Sequence, residues 1–476
     1  MKILFVSVEV APFAKVGGLA DVAGSLPKAL KALGHDVRIV MPAYGMVVGS
    51  DDKPVESFTT HVNVHDSYST IVYKDAIGDV PVVMINCDEF FKQTQKSEEL
   101  YAYGKEAYLY FSAAVIQQCE AEGWIPDVVH ANDWHTGFLP VFIREKASQK
   151  WDNTASIFTI HNLKYQGEFD KDTLRQAGLP ESLFTMEKLE TFGGVNFIKS
   201  ACVYADKVNT VSPSYADEIT TPEYGAGQWG LMGAMRKSGK LSGILNGIDT
   251  VFFNPTQDPV IAAPFNSNDL SGKAKCKEAL QTEFGLPTET GAPLLGIVSR
   301  LSDQKGFDLI IKQAYGMLAL GCQFFALGTG DPWAAEHLRQ LQEDWPDQVR
   351  FVERYDAPLA NKIYAGSDMF LMPSAFEPCG LGQMIACAYG TVPIVRQTGG
   401  LADSIFDGKN GFVFEEKSAR VLLDTIQRAL SVYKSGPEWE ALVQRCMNTD
   451  FSWDKSAKLY VELYMQALQS RSLVKS

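Results

Sequence analysis

Short apolar runs alternate with helical stretches along this chain, and the alternation starts afresh part-way through. The first run, residues 2–8, is β-branched and apolar. It leads through a loop at 12–18 into a helical pattern at 19–33, with Leu26, Leu30 and Leu33 on one face and Gly34 as its stop. Pro27 lies inside that pattern and predicts a kink or restart near Ser25. Further strands are expected at 37–41, 82–85, 127–130 and 156–160. Strands that are apolar throughout, with helices between them, fit a parallel sheet covered on both faces.

Between residues 246 and 293 the rhythm breaks. Asn246-Gly247-Ile248-Asp249 reads as a turn, and Pro255, Pro259 and Pro264 punctuate the stretch after it. The rhythm resumes with a strand at 294–299, a loop at 302–306, a helix at 307–320 and a strand at 323–327. A chain of 476 residues has room for two domains with separate cores. The expected architecture is therefore α/β, with two doubly wound, Rossmann-like halves meeting near residue 246. Sheets of this kind bind ligands beyond the carboxyl ends of their strands, so the halves are expected to face each other across a cleft. Gly17-Gly18-Leu19-Ala20-Asp21 recurs as Gly399-Gly400-Leu401-Ala402-Asp403, once in each half. Coincidence, or reuse of a good loop-to-helix junction, is one reading. The other is that both junctions turn backbone N–H groups toward one anionic ligand.

Composition narrows the function. With 43 Lys and Arg against 57 Asp and Glu, the formal net charge is −14. That balance speaks against non-specific binding to nucleic acid or anionic membrane, which takes a basic face. The N-terminus lacks the apolar core and cleavage site of a secretory signal, and no run of about 18 apolar residues exists to span a membrane. Eight scattered cysteines without a C-x-x-C pair fit reduced thiols in a cytoplasmic setting. His61 and His65 have H-x₃-H spacing, but their context alternates like a strand, which would hold the two rings too far apart to share a metal. No H-E-x-x-H occurs, and neither a metal nor another cofactor is expected.

If the protein handles phosphate, its positive charge must be local. Lys15 precedes Gly17-Gly18 just after the first strand, and Arg300 and Lys305 come after the strand that opens the second half. Neither segment has the spacing of a dinucleotide fingerprint or a P-loop. Alone, Lys15 reads as a surface lysine beside a turn, and Arg300 with Lys305 reads equally as a salt-bridged rim. Asp133 and His135 lie just beyond one expected strand, and His161 and Asn162 beyond another. Glu377 lies in a Pro/Gly-rich turn before a helix, suited either to hydrogen bonding sugar hydroxyls or to capping.

Taken in order, these segments resemble the bacterial glycogen synthase and plant starch synthase family. The resemblance is carried by Lys15-Val16-Gly17-Gly18-Leu19-Ala20-Asp21, Asp133-Trp134-His135, His161-Asn162-Leu163-Lys164-Tyr165-Gln166-Gly167 and Leu245-Asn246-Gly247-Ile248-Asp249. It continues in Ser299-Arg300-Leu301 with Lys305-Gly306, Glu377-Pro378-Cys379-Gly380-Leu381, Thr398-Gly399-Gly400-Leu401 and Asp450-Phe451-Ser452-Trp453. It implies a GT-B fold of an N-terminal domain over 1–245 on the acceptor side, a nucleotide-sugar domain over 246–455, and a C-terminal segment, 456–476, whose helix crosses back to the first. It implies retaining transfer of glucose from ADP-glucose to the non-reducing end of an α-1,4-glucan, glycogen or starch, with no metal. The partners are then ADP-glucose and glucan, without nucleic acid or membrane. The compartment is the cytoplasm, glucan granules, or a plastid for a plant-type source.

Carried onto matching positions, Lys15, Arg300 and Lys305 should neutralise the diphosphate. The backbone at Gly17, Gly18, Thr398, Gly399 and Gly400 should cradle it, with Asp21 beside it. Asp133, His161, Asn162, Asn246 and Glu377 should line the glucosyl site, Cys379, Gly380 and Leu381 should donate N–H bonds, and Tyr355 should stack on the adenine. Two departures stand out. The second position of the E-x₇-E pattern of related families is Ile385, and residues 100–108 lack the family's Asp-Asn…Arg-Phe pattern. Other functional readings are a GT-B enzyme with another donor or a small acceptor, a glucan phosphorylase, or a glucan-binding protein without catalysis. The phosphorylase needs a lysine-bound pyridoxal phosphate whose signature is missing.

Overall fold

The computed structural model describes residues 1–49, 51–288 and 291–475. The chain divides into two compact units, Met1–Gly247 with Trp453–Ser476, and Ile248–Ser452. In the first, the strands are β1 (Lys2–Val6), β2 (Asp36–Pro42), β3 (Glu56–His61), β4 (Ser67–Ile77), β5 (Val80–Asn86), β6 (Val128–Asn132) and β7 (Ala155–Ile160). After these come β8 (Glu168–Phe169), β9 (Glu190–Thr191), β10 (Gly194–Asn196), β11 (Lys207–Thr210) and β12 (Leu241–Gly243). Nine of them form one sheet in the order β12-β11-β7-β6-β1-β2-β5-β4-β3, and β8, β10 and β9 form a small antiparallel sheet. Every residue of β6 and β7 is buried, as a strand covered on both faces requires.

Three expectations need correcting. The sheet is not parallel throughout, because β3 and β4 form an antiparallel hairpin that pairs with β5. His61 ends β3 and His65 lies in the hairpin turn. There the Asn63 side chain accepts the N–H groups of His65 and Asp66, and this local turn chemistry overrides the alternation read from the sequence. Among the described residues no group of three or more His, Cys, Asp or Glu could hold a metal. The helix Gly18–Ala32 runs through Pro27 without a break. Its apolar face, including Leu19, Val22, Leu26 and Pro27, is buried, and that packing offsets the hydrogen bond that proline removes.

The last helix, Trp453–Lys475, belongs to the first unit, where it packs on helix Gly18–Ala32, β7 and β11. It starts three residues before residue 456, where the resemblance begins the C-terminal segment. Among the described residues no helix is long and apolar enough to cross a membrane. All eight cysteines are buried free thiols.

The second unit contains β13 (Leu294–Val298), β14 (Gln323–Leu327), β15 (Val349–Val352), β16 (Met369–Met372), β17 (Val392–Arg396) and β18 (Phe412–Phe414). Every pair is parallel, in the order β15-β14-β13-β16-β17-β18. Leu280, Leu286, Leu294, Phe325, Leu327, Leu359 and Ile363 form a core against one face of this sheet, each contributing on the order of 2 kcal/mol by burial.

These strand orders locate the sites. In the first unit the chain builds outward from β1 through β2 and β5, then returns to place β6 on β1's other side. In the second it builds from β13 to β15, then returns with β16. The switch points are therefore β1/β6 and β13/β16, and the crevice beyond their carboxyl ends is where such a sheet binds ligand. The loops after these four strands hold Lys15, Asp133, Arg300 with Lys305, and Glu377.

Candidate active site

After β1 the chain makes a short loop before helix Gly18–Ala32. Glu9, 1 % exposed, shapes that loop: its carboxylate accepts the N–H groups of Val16 at 2.6 Å and Gly17 at 2.7 Å. Burial raises the Glu9 pKa, while these two N–H bonds and nearby Lys15 oppose the shift. The Gly17 N–H is thus turned inward to Glu9, and the helix begins at Gly18. Lys15 pairs with Asp21 at 2.6 Å, one helical turn into that helix, and both side chains keep solvent contact.

Beyond β6 the chain turns sharply at Asp133, whose φ of 55° is a conformation that costs a non-glycine residue about 1 kcal/mol or more. The strain aims its carboxyl at the end of β7, where Oδ1 accepts the His161 N–H at 2.7 Å. Protein packed around Asp133 pushes its pKa up from 3.8 to about 7, with Glu9 adding to the rise. Hydrogen bonds from the His161 and Asn162 backbones pull the other way. Burial holds His161 neutral, lowering its pKa to about 3.

The ring protons of this region are set by its partners. The Asn132 amide donates to the carbonyls of Val6 and His130, so its Oδ1 accepts, and His161 Nε2 must carry the proton of their 2.9 Å bond. His161 Nδ1 is left as an acceptor. Behind it lies a buried chain of polar groups. Tyr464 meets His130 Nδ1 at 2.8 Å, His130 Nε2 meets Thr159 at 2.6 Å, Thr159 donates to Asn209, and Asn209 donates to Tyr460. The last helix therefore braces the strands that carry the site.

His135 is 4 % exposed, and among the described residues neither ring nitrogen has a hydrogen-bond partner. Its ring is stacked on Tyr101 at 4.8 Å and edged by Tyr108 at 4.9 Å, and burial lowers its pKa to about 3. It is a packing element of the turn. Asn246 is 6 % exposed with Oδ1 unpartnered among the described residues, an acceptor that a ligand hydroxyl would satisfy.

In the second unit β13 ends at Val298, and Arg300 lies in the loop beyond it, exposed and without an ion pair among the described residues. Lys305 pairs with Glu377 at 2.6 Å, and Ser374 donates to the same Glu377 oxygen at 3.1 Å. Gly306, at φ 75°, lets this loop close on the one after β16: a Cβ there would lie 2.1 Å from the Pro373 carbonyl oxygen. The Glu377 carbonyl accepts the Gly400 N–H at 3.0 Å, and Gly400 packs against the Cys379 backbone. Tyr355 stands apart, 74 % exposed in the loop after β15.

Comparison with known proteins places this arrangement. The family described as "Starch synthase catalytic domain" matches residues 2–236, and "Glycosyl transferases group 1" matches residues 292–431. A protein named glycogen synthase from Syntrophotalea carbinolica is 42 % identical, covering 98 % of this chain and 99 % of its own. The chain belongs to the glycogen and starch synthase family. Another glycogen synthase, from Kosmotoga olearia, is 44 % identical over 99 % of this chain and 98 % of its own. The catalytic domain of starch synthase IV from Arabidopsis thaliana, solved bound to ADP and acarbose, superposes with a TM-score of 0.91. It is 35 % identical and covers 98 % of this chain and 99 % of its own. The fold is accordingly GT-B, and the protein is a glycosyltransferase of the glycogen/starch synthase type.

Within this family the chain's two departures acquire a structural meaning. Ile385, where related families carry a second glutamate, is buried in helix Gly382–Ala388 and points its apolar side chain into packing. In residues 100–108, Tyr101 and Tyr108 pack on the Asp133-Trp134-His135 turn, so aromatic contacts hold that turn in place. Sequence reading missed Glu9 and Asn132. Glu9 had a visible signal, a charged residue closing an otherwise apolar run; Asn132 had none beyond its neighbour Asp133.

Proposed function

We propose that this chain transfers glucose from ADP-glucose to the non-reducing end of an α-1,4-glucan with retention of configuration, in a compartment where thiols stay reduced. The observation that carries the reading is that the family's motif residues fall in the loops beyond both switch points. Lys15 and Asp133 lie beyond the first, with His161 after the adjacent β7, and Arg300, Lys305 and Glu377 lie beyond the second.

In this reading Lys15, Arg300 and Lys305 meet the charge that grows on the departing diphosphate, an electrostatic role that calls for no metal. Glu377, held by Lys305 and Ser374, and Asn246, with its unpartnered oxygen, accept hydrogen bonds from glucose hydroxyls. Asn162, Asp21 and the backbone of Gly18, Cys379, Gly380, Leu381, Thr398 and Gly399 complete the donor site, and Tyr355 offers its exposed ring to the adenine. The Gly17 and Gly400 N–H groups are bonded to Glu9 and Glu377, so these two residues shape the cradle and do not line it with free donors.

Neutral His161 presents its backbone and Nδ1 to the sugar. Asp133 is tied to the backbone N–H groups of His161 and Asn162, which suits it to positioning a hydroxyl. Retention then results from attack by the acceptor hydroxyl on the face the diphosphate leaves, with the leaving phosphate taking its proton.

The test is incorporation of labelled glucose into glycogen, comparing ADP-glucose with UDP-glucose and reading the anomer by NMR. Growth of α-linked polymer, faster from ADP-glucose, is expected. Nucleotide release without polymer growth, or growth only on a small glucoside acceptor, would reject the reading.

A further inference from the structure

Three segments of the first unit converge on the side chain of Gln166. Its Oε1 accepts from Asn196 at 2.5 Å and from Gln228 at 3.3 Å, and its Nε2 donates to the Ala226 carbonyl at 2.7 Å. All three amide side chains are buried, and each segment places one large aromatic residue outside. Tyr165 is 49 %, Phe192 85 % and Trp229 48 % exposed. The Phe192 ring comes within 3.9 Å of the Cβ position of Gly227, which brings the second segment onto the third.

The support beneath this rim is built with buried polar groups. Phe192 and Gly193 form the tip of the β9–β10 hairpin, whose turn is closed by the Gly193 N–H on the Glu190 carboxylate at 2.8 Å. The Lys199 ammonium, 5 % exposed, donates to the carbonyls of Met186, Lys188 and Glu190 and so fixes the approach to the hairpin. Phe192 and Ala226 both hold positive φ, 50° and 46°. Phe192 thus accepts an unfavourable backbone conformation, of order 1 kcal/mol, while its ring gains almost no burial.

The rim continues from the candidate site: the Tyr165 N–H donates to the Asn162 carbonyl at 3.2 Å, four residues from His161. Aromatic faces stack on the C–H faces of pyranose rings, and an uncharged chain meets no repulsion from an acidic protein. We propose that Tyr165, Phe192 and Trp229 form a platform that binds the α-1,4-glucan acceptor beyond the residue being extended. This rests on the glucan synthase reading above.

The test uses the full chain with Phe192→Ala and Trp229→Ala combined, and Trp229→Phe alone. Unchanged melting of the double variant confirms that it folds, as expected for such exposed rings. Binding of maltoheptaose at equilibrium should weaken about tenfold, the loss of roughly two stacking contacts, while half-saturation by ADP-glucose stays within about twofold. Maltoheptaose should also quench wild-type tryptophan fluorescence, and Trp229→Phe should remove that quench. Unaltered maltoheptaose affinity in the folded double variant would overturn the platform. So would self-association of the wild type that the double variant loses while its glucan affinity is kept, since the rim would then bind a second copy. A wild type that binds maltoheptaose through these residues yet adds no glucose would support the platform and defeat the synthase reading.

Discussion

The pentapeptide Gly-Gly-Leu-Ala-Asp occurs in both units and takes a different path in each. In the first, Gly17 is extended, its N–H rests on the buried Glu9 carboxylate, and a helix of fifteen residues starts at Gly18. A Cβ on Gly17 would meet only a Glu9 oxygen at 4.0 Å. In the second, Gly399 sits at φ 45° inside a six-residue helix, and a Cβ on Gly400 would lie 2.2 Å from the Cys379 carbonyl oxygen. One junction is open and held by a side chain; the other is closed and held by backbone packing. The same five letters therefore serve a long helix N-terminus in one unit and a tight backbone crossing in the other. Only the first has a helix dipole worth invoking.

The largest expected effect separates the units by pH. Burial depresses the pKa values of His130, His135 and His161 in the first unit to about 3. Their contribution is complete above the unfolded value near 6.5 and is lost as pH falls toward 3, at up to about 1.4 kcal/mol per pH unit for each. Urea midpoints measured from pH 7 to pH 4 should fall steeply, with the first unit opening first. A second unit that unfolds first in acid would break the comparison.

Next comes Gly400→Ala, which forces backbone apart and should cost on the order of 3 kcal/mol. Gly17→Ala, extended and open, should stay within about 0.5 kcal/mol. Thermal melting of the two variants checks both, and equal losses would deny that the junctions differ.

Asp133 supplies a smaller step of opposite sign. Its pKa is raised to about 7, so its contribution is present at low pH and lost as pH rises through 7. Between pH 5 and 8 the wild type should lose about 2–3 kcal/mol that Asp133→Asn does not lose. Identical slopes would place Asp133 in water.

Smallest is Glu9→Gln. Its amide oxygen still reaches the Val16 and Gly17 N–H groups but gives up the charge, for about 1 kcal/mol of stability and a rise in half-saturating ADP-glucose. A stability loss without any change in ADP-glucose dependence would show that the loop's shape does not matter to the donor.

Much of this was legible from residues alone because it is carried by local pattern. The buried strands, the second start at 294 and the two glycine junctions are set by apolar periodicity and punctuation. The antiparallel β3–β4 hairpin was hidden because its turn is made by one side chain, Asn63, within an alternating stretch. The uninterrupted helix through Pro27 was hidden because tertiary packing outweighed a local penalty. In the site, Lys15, Asp133, His161, Arg300, Lys305 and Glu377 were visible as types at strand ends. The pairing of Lys305 with Glu377, across 72 positions, was not. Nor was the inward turn of the Gly17 N–H, which depends on a carboxylate eight positions earlier.

In the proposed reaction fixed cations stabilise the leaving diphosphate, and Arg300→Ala tests this most directly because that side chain is exposed and supports no ion pair among the described residues. Glucose transfer from ADP-glucose to glycogen should fall by about 10²–10³ with the melting temperature unchanged. An Arg300→Ala protein that turns over at the wild-type rate would contradict the account.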